Sequence, residues 1–147
     1  MKSILVVCQG NICRSPMAEG FIFHQLNTSD SSMDISSAGL AAVVNNPAEP
    51  KAHITMQKYG IDISKHRARQ VTNELVRKAE LILVMTKRQL MVLEHQFLFV
   101  KGKAFLLGYW QGIEISDPLG QTLNEFENVY QQIELAWQGW KTRILSC

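Results

Sequence analysis

Apolar residues in this chain fall into short runs separated by longer amphipathic stretches. The run SILVVC (3–8), rich in β-branched residues and closed by Gly10, has the profile of a strand buried on both faces. PMAEGFIFHQL (16–26) follows, with Pro16 suited to a first helical turn and Ser15 as its expected cap, so a helix is predicted to about Leu26. MDISSAG (33–39) predicts a second strand ending at Gly39. Asn45, Asn46, Pro47 and Pro50 mark 40–50 as a loop leading into a helix near 51–59. Residues 59–70, YGIDISKHRARQ, carry no clear period. Thr72 is placed to cap a short helix, ELILVM (80–85) is the clearest strand, and Thr86 starts a helix toward His95. KAFLLG (103–108) predicts a fourth strand, followed by a turn-rich loop through Gly112, Asp117, Pro118 and Gly120. TLNE at 122–125 has the form of a capping box. It opens a long helix whose apolar stripe runs Phe126, Val129, Tyr130, Ile133, Trp137, Trp140 and Ile144.

Strands alternating with helices predict an α/β fold: one domain over 1–147, a three-layer α/β/α sandwich around a four-stranded parallel sheet. Right-handed crossovers bring every loop that follows a strand to the carboxyl edge of the sheet, where such folds bind ligands. The loop after Cys8 and the loop holding Asp117 both fall there.

Composition narrows the classes. A net charge of +2 is too small for a nucleic-acid partner, and the cations are scattered apart from Lys65, Arg67 and Arg69. The longest apolar runs are about five residues, far below the roughly 20 of a membrane span, so no membrane protein is expected. The first run is also too short for a signal peptide. Three cysteines give no disulfide framework, which makes a cytoplasmic protein the expectation. No histidine spacing has the form of a metal site, and no metal or cofactor is called for: His24, His53 and His95 read as structural.

The chemistry gathers in VCQGNICRSP (7–16). Cysteine followed six residues later by arginine is a weak signal as bare spacing, but here it sits between a strand and a helix opened by Ser-Pro. Backbone N–H groups of Gln9, Gly10, Asn11, Ile12, Cys13, Arg14 and Ser15 can curl into a nest, with the helix N-terminus adding its positive dipole end. Such a loop suits inorganic phosphate or another oxyanion, and Arg14 supplies a fork for two of its oxygens. Neither glycine-rich nucleotide motif is present, so the loop is expected to hold a single phosphoryl group. Cys8 lies at its base, where the same dipoles favour a thiolate aimed at phosphorus. Taken alone, Cys8 would be a small buried hydrophobe. Cys13 is equally a packed thiol or a disulfide partner for Cys8. Asp117, stiffened by Pro118, is the expected acid for the leaving oxygen, with Glu114 in reserve.

These residues resemble the low-molecular-weight protein tyrosine phosphatases over nearly the whole chain. The signature C-x-G-N-x-C-R-S-P stands at Cys8, Gly10, Asn11, Cys13, Arg14, Ser15 and Pro16. The S-A-G of that family stands at Ser37 to Gly39, its H-x-A-R-Q at His66 to Gln70, its L-I-L-x-M at Leu81 to Met85, and its D-P at Asp117 and Pro118. KGKAFLLGYW is similar to the bacterial branch that acts on tyrosine autokinases of capsule and exopolysaccharide export. The resemblance implies a phosphotyrosine protein as substrate, such an autokinase as partner, and a phosphocysteine on Cys8. It further implies Arg14 as the clamp and Asp117 as acid and then base. Ser15 would hydrogen-bond the thiolate, and Asn11 would hold a left-handed turn braced by Ser37 and His66. Leu119 and the AAVVNN stretch depart from the family, which often has aromatic residues at both places.

Four other readings use parts of the same pattern. Arsenate reductases share the fold and loop but need a relay of further cysteines, and none stands between Cys13 and Cys147. Protein-arginine phosphatases tend to have threonine where Ile12 stands, and an apolar Ile12 suits an aryl ring better than a guanidinium. A phosphoryl carrier would need neither Arg14 nor Asp117, and a phosphate-binding module without activity would not keep all three residues.

Overall fold

The computed structural model describes residues 2–27 and 32–145, the side chains of Asn27 and Leu145 apart; Cys147 lies outside them. The first apolar run forms β1 (Ser3–Cys8), and the chain continues through α1 (Arg14–Asn27), β2 (Asp34–Gly39), α2 (Pro50–Lys58) and α3 (Asn73–Lys78). Then come β3 (Leu81–Val84), α4 (Lys87–Gln96), a 3-10 turn at Leu98–Val100, β4 (Ala104–Leu106) and α5 (Leu123–Leu145). The four strands are parallel in the order β2-β1-β3-β4.

Strict alternation along the central strands explains why both faces are covered. Ile4, Val6, Cys8, Leu81 and Leu83 pack with α1, α2 and α5, while Leu5, Val7, Ile82 and Val84 pack with α3 and α4. The stripe of α5 is buried from Phe126 to Ile144, with Phe126, Ile133 and Trp137 wholly inside. From β1 the chain crosses to β2 on one side, and from β3 to β4 on the other. The loops after β1 and β3 therefore diverge at the carboxyl edge, leaving a crevice between them.

Thr72 and Thr86 cap α3 and α4 as expected, their Oγ1 atoms accepting the N–H groups of Leu75 and Gln89, each at 3.2 Å. Ser15 does not cap. The helix begins one residue earlier, at Arg14, and the Ser15 hydroxyl is drawn to Cys8 and Asn11 instead. The capping box is half formed. Thr122 Oγ1 accepts the Glu125 N–H at 3.4 Å, while the Glu125 carboxylate accepts from Asn128 Nδ2 at 3.5 Å. The 3-10 turn after α4 has no counterpart in the sequence reading. Strands β3 and β4 are shorter than predicted, without Glu80 and Met85 in the first and without Lys103, Leu107 and Gly108 in the second.

Candidate active site

Backbone accounting shows what the loop after β1 presents. The carbonyls of Cys8, Gln9 and Gly10 accept the N–H groups of Leu40, Ala41 and Val43 at 2.9–3.1 Å. Those of Ile12 and Cys13 accept from Glu49 and Met17, and that of Asn11 accepts from the His66 ring at 2.6 Å. A carbonyl can only accept, so His66 Nε2 carries the hydrogen in that bond. Six successive carbonyls thus turn outward into the surrounding chain. The loop's N–H groups are left for its inner face, a concavity suited to an anion.

Asn11 makes the curl possible with φ of 59°, a left-handed conformation that asparagine tolerates. Its side chain also gives the network a direction. The Arg69 backbone N–H donates to Asn11 Oδ1 at 2.9 Å, which fixes that atom as the amide oxygen. Nδ2 then donates to Ser15 Oγ at 2.8 Å and to Ser37 Oγ at 3.0 Å. Both hydroxyls, having accepted, have their own hydrogens to give: Ser37 gives its to the Glu19 carboxylate, and Ser15 gives its to Cys8 Sγ at 2.9 Å. The Asn11 N–H lies 3.3 Å from the same sulfur. Two donors therefore converge on Cys8 Sγ.

Gly39 ends β2 directly under this loop. A Cβ there would stand 2.8 Å from Gln9 O and 3.1 Å from both Asn11 N and Asn11 Cβ, all of them atoms that cannot swing aside. Gly39→Ala is expected to push the loop out of shape and lower kcat/KM for an aryl phosphate on the order of tenfold to a hundredfold. Steady-state kinetics beside a thermal melt will check this; an unchanged kcat/KM would show that the loop accommodates the methyl.

Arg14 is buried, and its Nη1 donates to Ile115 O at 3.0 Å, which fixes the guanidinium beneath the acid loop. The loop is held residue by residue: Ile115 N to Met85 O, Ser116 N to Gln132 Oε1 at 2.9 Å, and Gln132 Nε2 to Ser116 Oγ at 3.2 Å. Asp117 follows, half exposed, with Oδ2 3.7 Å from Arg14 Nη2 and Oδ1 accepting the Leu119 N–H at 3.1 Å. Glu114 is turned away, its carboxylate on the Lys87 N–H at 2.7 Å. Asp117 is thus the carboxylate that joins Cys8, Gln9, Gly10, Ile12, Cys13 and Arg14 around one cavity of about 200 Å³. Val43 and Leu119 complete its walls, so aliphatic side chains stand where the resemblance led one to look for rings.

Cys13 shares the cavity, yet its thiol is pushed up to about 12, first by burial and then by the neighbouring Cys8 charge. With Cys8 reduced, Cys13 is therefore held mainly as the thiol at neutral pH and is a slow nucleophile. Iodoacetamide at neutral pH is expected to label Cys8 well ahead of Cys13, and phosphate to protect Cys8. Peptide mapping that found Cys13 labelled as fast would contradict this environment.

Two contributors escaped the sequence reading. Glu19 anchors Ser37, and its only signal was its place one helical turn beyond Ser15 on the same face of α1. Gln132, on α5, pins the residue before Asp117, a contact across 16 residues that no spacing announces. His24 and His95 are exposed and away from the cavity. Among the described residues no group of three His, Cys, Asp or Glu side chains could hold a metal ion, and no helix is long and apolar enough to cross a membrane.

Comparison with known proteins gives the arrangement a setting. Residues 3–146 match the family model of the low molecular weight phosphotyrosine protein phosphatases. The low molecular weight protein-tyrosine-phosphatase Ptp of Acinetobacter johnsonii is 41% identical over 97% of this chain and 98% of its own. The tyrosine phosphatase AmsI of Erwinia amylovora superposes with a TM-score of 0.90 at 38% identity, covering 97% of this chain and 92% of that one. The YwlE arginine phosphatase of Geobacillus stearothermophilus also reaches 0.90, at 26% identity, over 99% and 94%.

Proposed function

The chain belongs to the low molecular weight phosphotyrosine protein phosphatases, and from that premise we propose how its own residues hydrolyse phosphotyrosine and on what protein. Substrate phosphate enters the loop, held by the inward N–H groups and the Arg14 fork, with the aryl ring between Ile12, Val43 and Leu119. Cys8 Sγ attacks phosphorus as the ester P–O bond breaks. The departing electron pair goes to the tyrosine oxygen, which takes the proton from Asp117. Asp117, now a carboxylate, removes a proton from water as that water attacks the phosphocysteine. The S–P bond breaks, inorganic phosphate leaves, and the Ser15 hydroxyl receives the returning charge on Cys8.

The observation that carries this reading is the directed path from the Arg69 N–H through Asn11 and Ser15 to Cys8 Sγ. A cysteine that only filled the core would need no such convergence of donors. The proposed substrate is a bacterial tyrosine autokinase of polysaccharide export, on the strength of the 101–110 segment, and the proposed compartment is the cytoplasm, where a catalytic thiol stays reduced. Since an arginine phosphatase shares the fold, the test is parallel hydrolysis of phosphotyrosine and phosphoarginine peptides, with arsenate reduction assayed alongside. Phosphotyrosine is expected to be preferred, with Ile12 facing an aryl ring. A preference for phosphoarginine, or arsenate reduction at a comparable rate, would overturn the assignment.

A further inference from the structure

A second cavity, about 740 Å³, opens at the same sheet edge and shares Gln9, Arg14, Ala41 and Asp117 with the catalytic pocket. It occupies the crevice between the loops after β1 and β3, and its far wall is the start of α4, with Thr86, Arg88, Gln89 and Val92. The hydrolytic steps use none of these four residues.

Two of their side-chain acceptors are already used by backbone N–H groups. Gln89 is only 6% exposed, and its Oε1 accepts the Met85 N–H at 3.1 Å. That bond fixes the amide and leaves Nε2 as a donor with no acceptor among the described residues. Thr86 Oγ1 accepts the Gln89 N–H, so its own hydrogen is still to be given. Arg88 makes no hydrogen bond or ion pair among the described residues. Each of the two carboxylates at the groove accepts one backbone N–H, Glu114 that of Lys87 and Asp117 that of Leu119. Asp117 also lies 3.7 Å from Arg14, which leaves Arg88 as the groove's cation without an ion pair among the described residues. Beside the two carboxylates the groove therefore presents Arg88 and the amides of Gln89 and Gln96, lined below by Leu40 and Ile115.

We infer that this groove binds an oxyanion on a residue flanking the phosphotyrosine in the substrate chain, a carboxylate or a second phosphate, with Arg88 and the Gln89 amide as its donors. The inference rests on the phosphatase reading and adds to it the substrate class: acidic or multiply phosphorylated tyrosine segments. Val92 and Leu40 give the stem of such a residue an apolar surface.

The test uses three peptides with one phosphotyrosine that differ only in its flanking residues: alanine, glutamate or phosphoserine. p-Nitrophenyl phosphate, which has no flank, reports the chemistry by itself. The wild-type protein is expected to show a KM about two- to fivefold lower for the anionic flanks than for alanine, the scale of an exposed ion pair, and to lose that preference at high salt. Arg88→Ala should abolish the preference and Arg88→Glu reverse it, with p-nitrophenyl phosphate turnover unchanged in both. A gain for the doubly phosphorylated peptide alone would assign the groove to phosphate, and a gain for both to oxyanions generally. Equal KM values for all three peptides, or the same loss on all three in Arg88→Ala, would overturn the groove while leaving the phosphatase reading intact. Failure of the wild-type protein on p-nitrophenyl phosphate would instead strike that reading itself.

Discussion

Cys8→Ser is expected to lose at least about 10⁴-fold in kcat while still binding phosphate or vanadate, since removal of a nucleophile acts on that scale. The two functions separate because different atoms perform them. The anion is held by backbone N–H groups whose outward carbonyls are tied to Leu40, Ala41, Val43, Glu49 and His66, and none of those bonds uses the Cys8 side chain. Serine also fits the space between Ser15 Oγ and the Asn11 N–H, so the loop has no reason to collapse. Its hydroxyl, however, remains protonated where a thiolate is needed. Stopped-flow kinetics and oxyanion titration by calorimetry would measure the two halves. Residual turnover near the wild-type value would remove Cys8 from the reaction.

Asp117→Ala is expected to cost 10²–10⁴-fold on substrates with basic leaving groups and progressively less as the leaving group becomes more acidic, because only the former need a proton in the transition state. The structure sharpens the control. Asp117 Oδ1 also holds the Leu119 N–H, so alanine removes both an acid and a turn. Asp117→Asn keeps an oxygen for that N–H but carries no transferable proton. If the carboxyl acts as an acid, the two variants should fail alike across a series of aryl phosphates. If asparagine restores the rate, Asp117 only shaped the loop. Oxyanion affinity should change little in either variant, since Arg14 stays anchored on Ile115 O and the loop stays pinned by Gln132.

Most of the fold was legible because its signals are local. Short apolar runs marked β1, β3 and β4, Thr72 and Thr86 marked two helix starts, and the stripe from Phe126 to Ile144 told which face of α5 is inside. That Cys8, Arg14 and Asp117 would meet was legible for a related reason: strand alternation alone sends the loops of Cys8 and Asp117 to one edge. Ser15 was misread as a cap because its competing partners, Cys8 and Asn11, are neighbours only once the loop has curled. The direction of the network was out of reach altogether. It depends on a backbone N–H at Arg69 meeting a side chain 58 residues away, and backbone donors leave no mark in composition. The outward carbonyls and the Gln132 clamp on Ser116 are of the same kind, set by packing of distant segments.

The central claim is that Cys8 carries the phosphoryl group between attack and hydrolysis. It is tested most directly by mixing the Asp117→Ala protein with an aryl phosphate bearing an acidic leaving group, quenching in acid within the first turnover, and mapping the phosphorylated peptide. With attack still fast and its water-activating base gone, the protein should accumulate one phosphoryl group per chain, bonded to sulfur at Cys8. A burst of phenol with no phosphoprotein, or a phosphoryl group on any other side chain, would contradict the account.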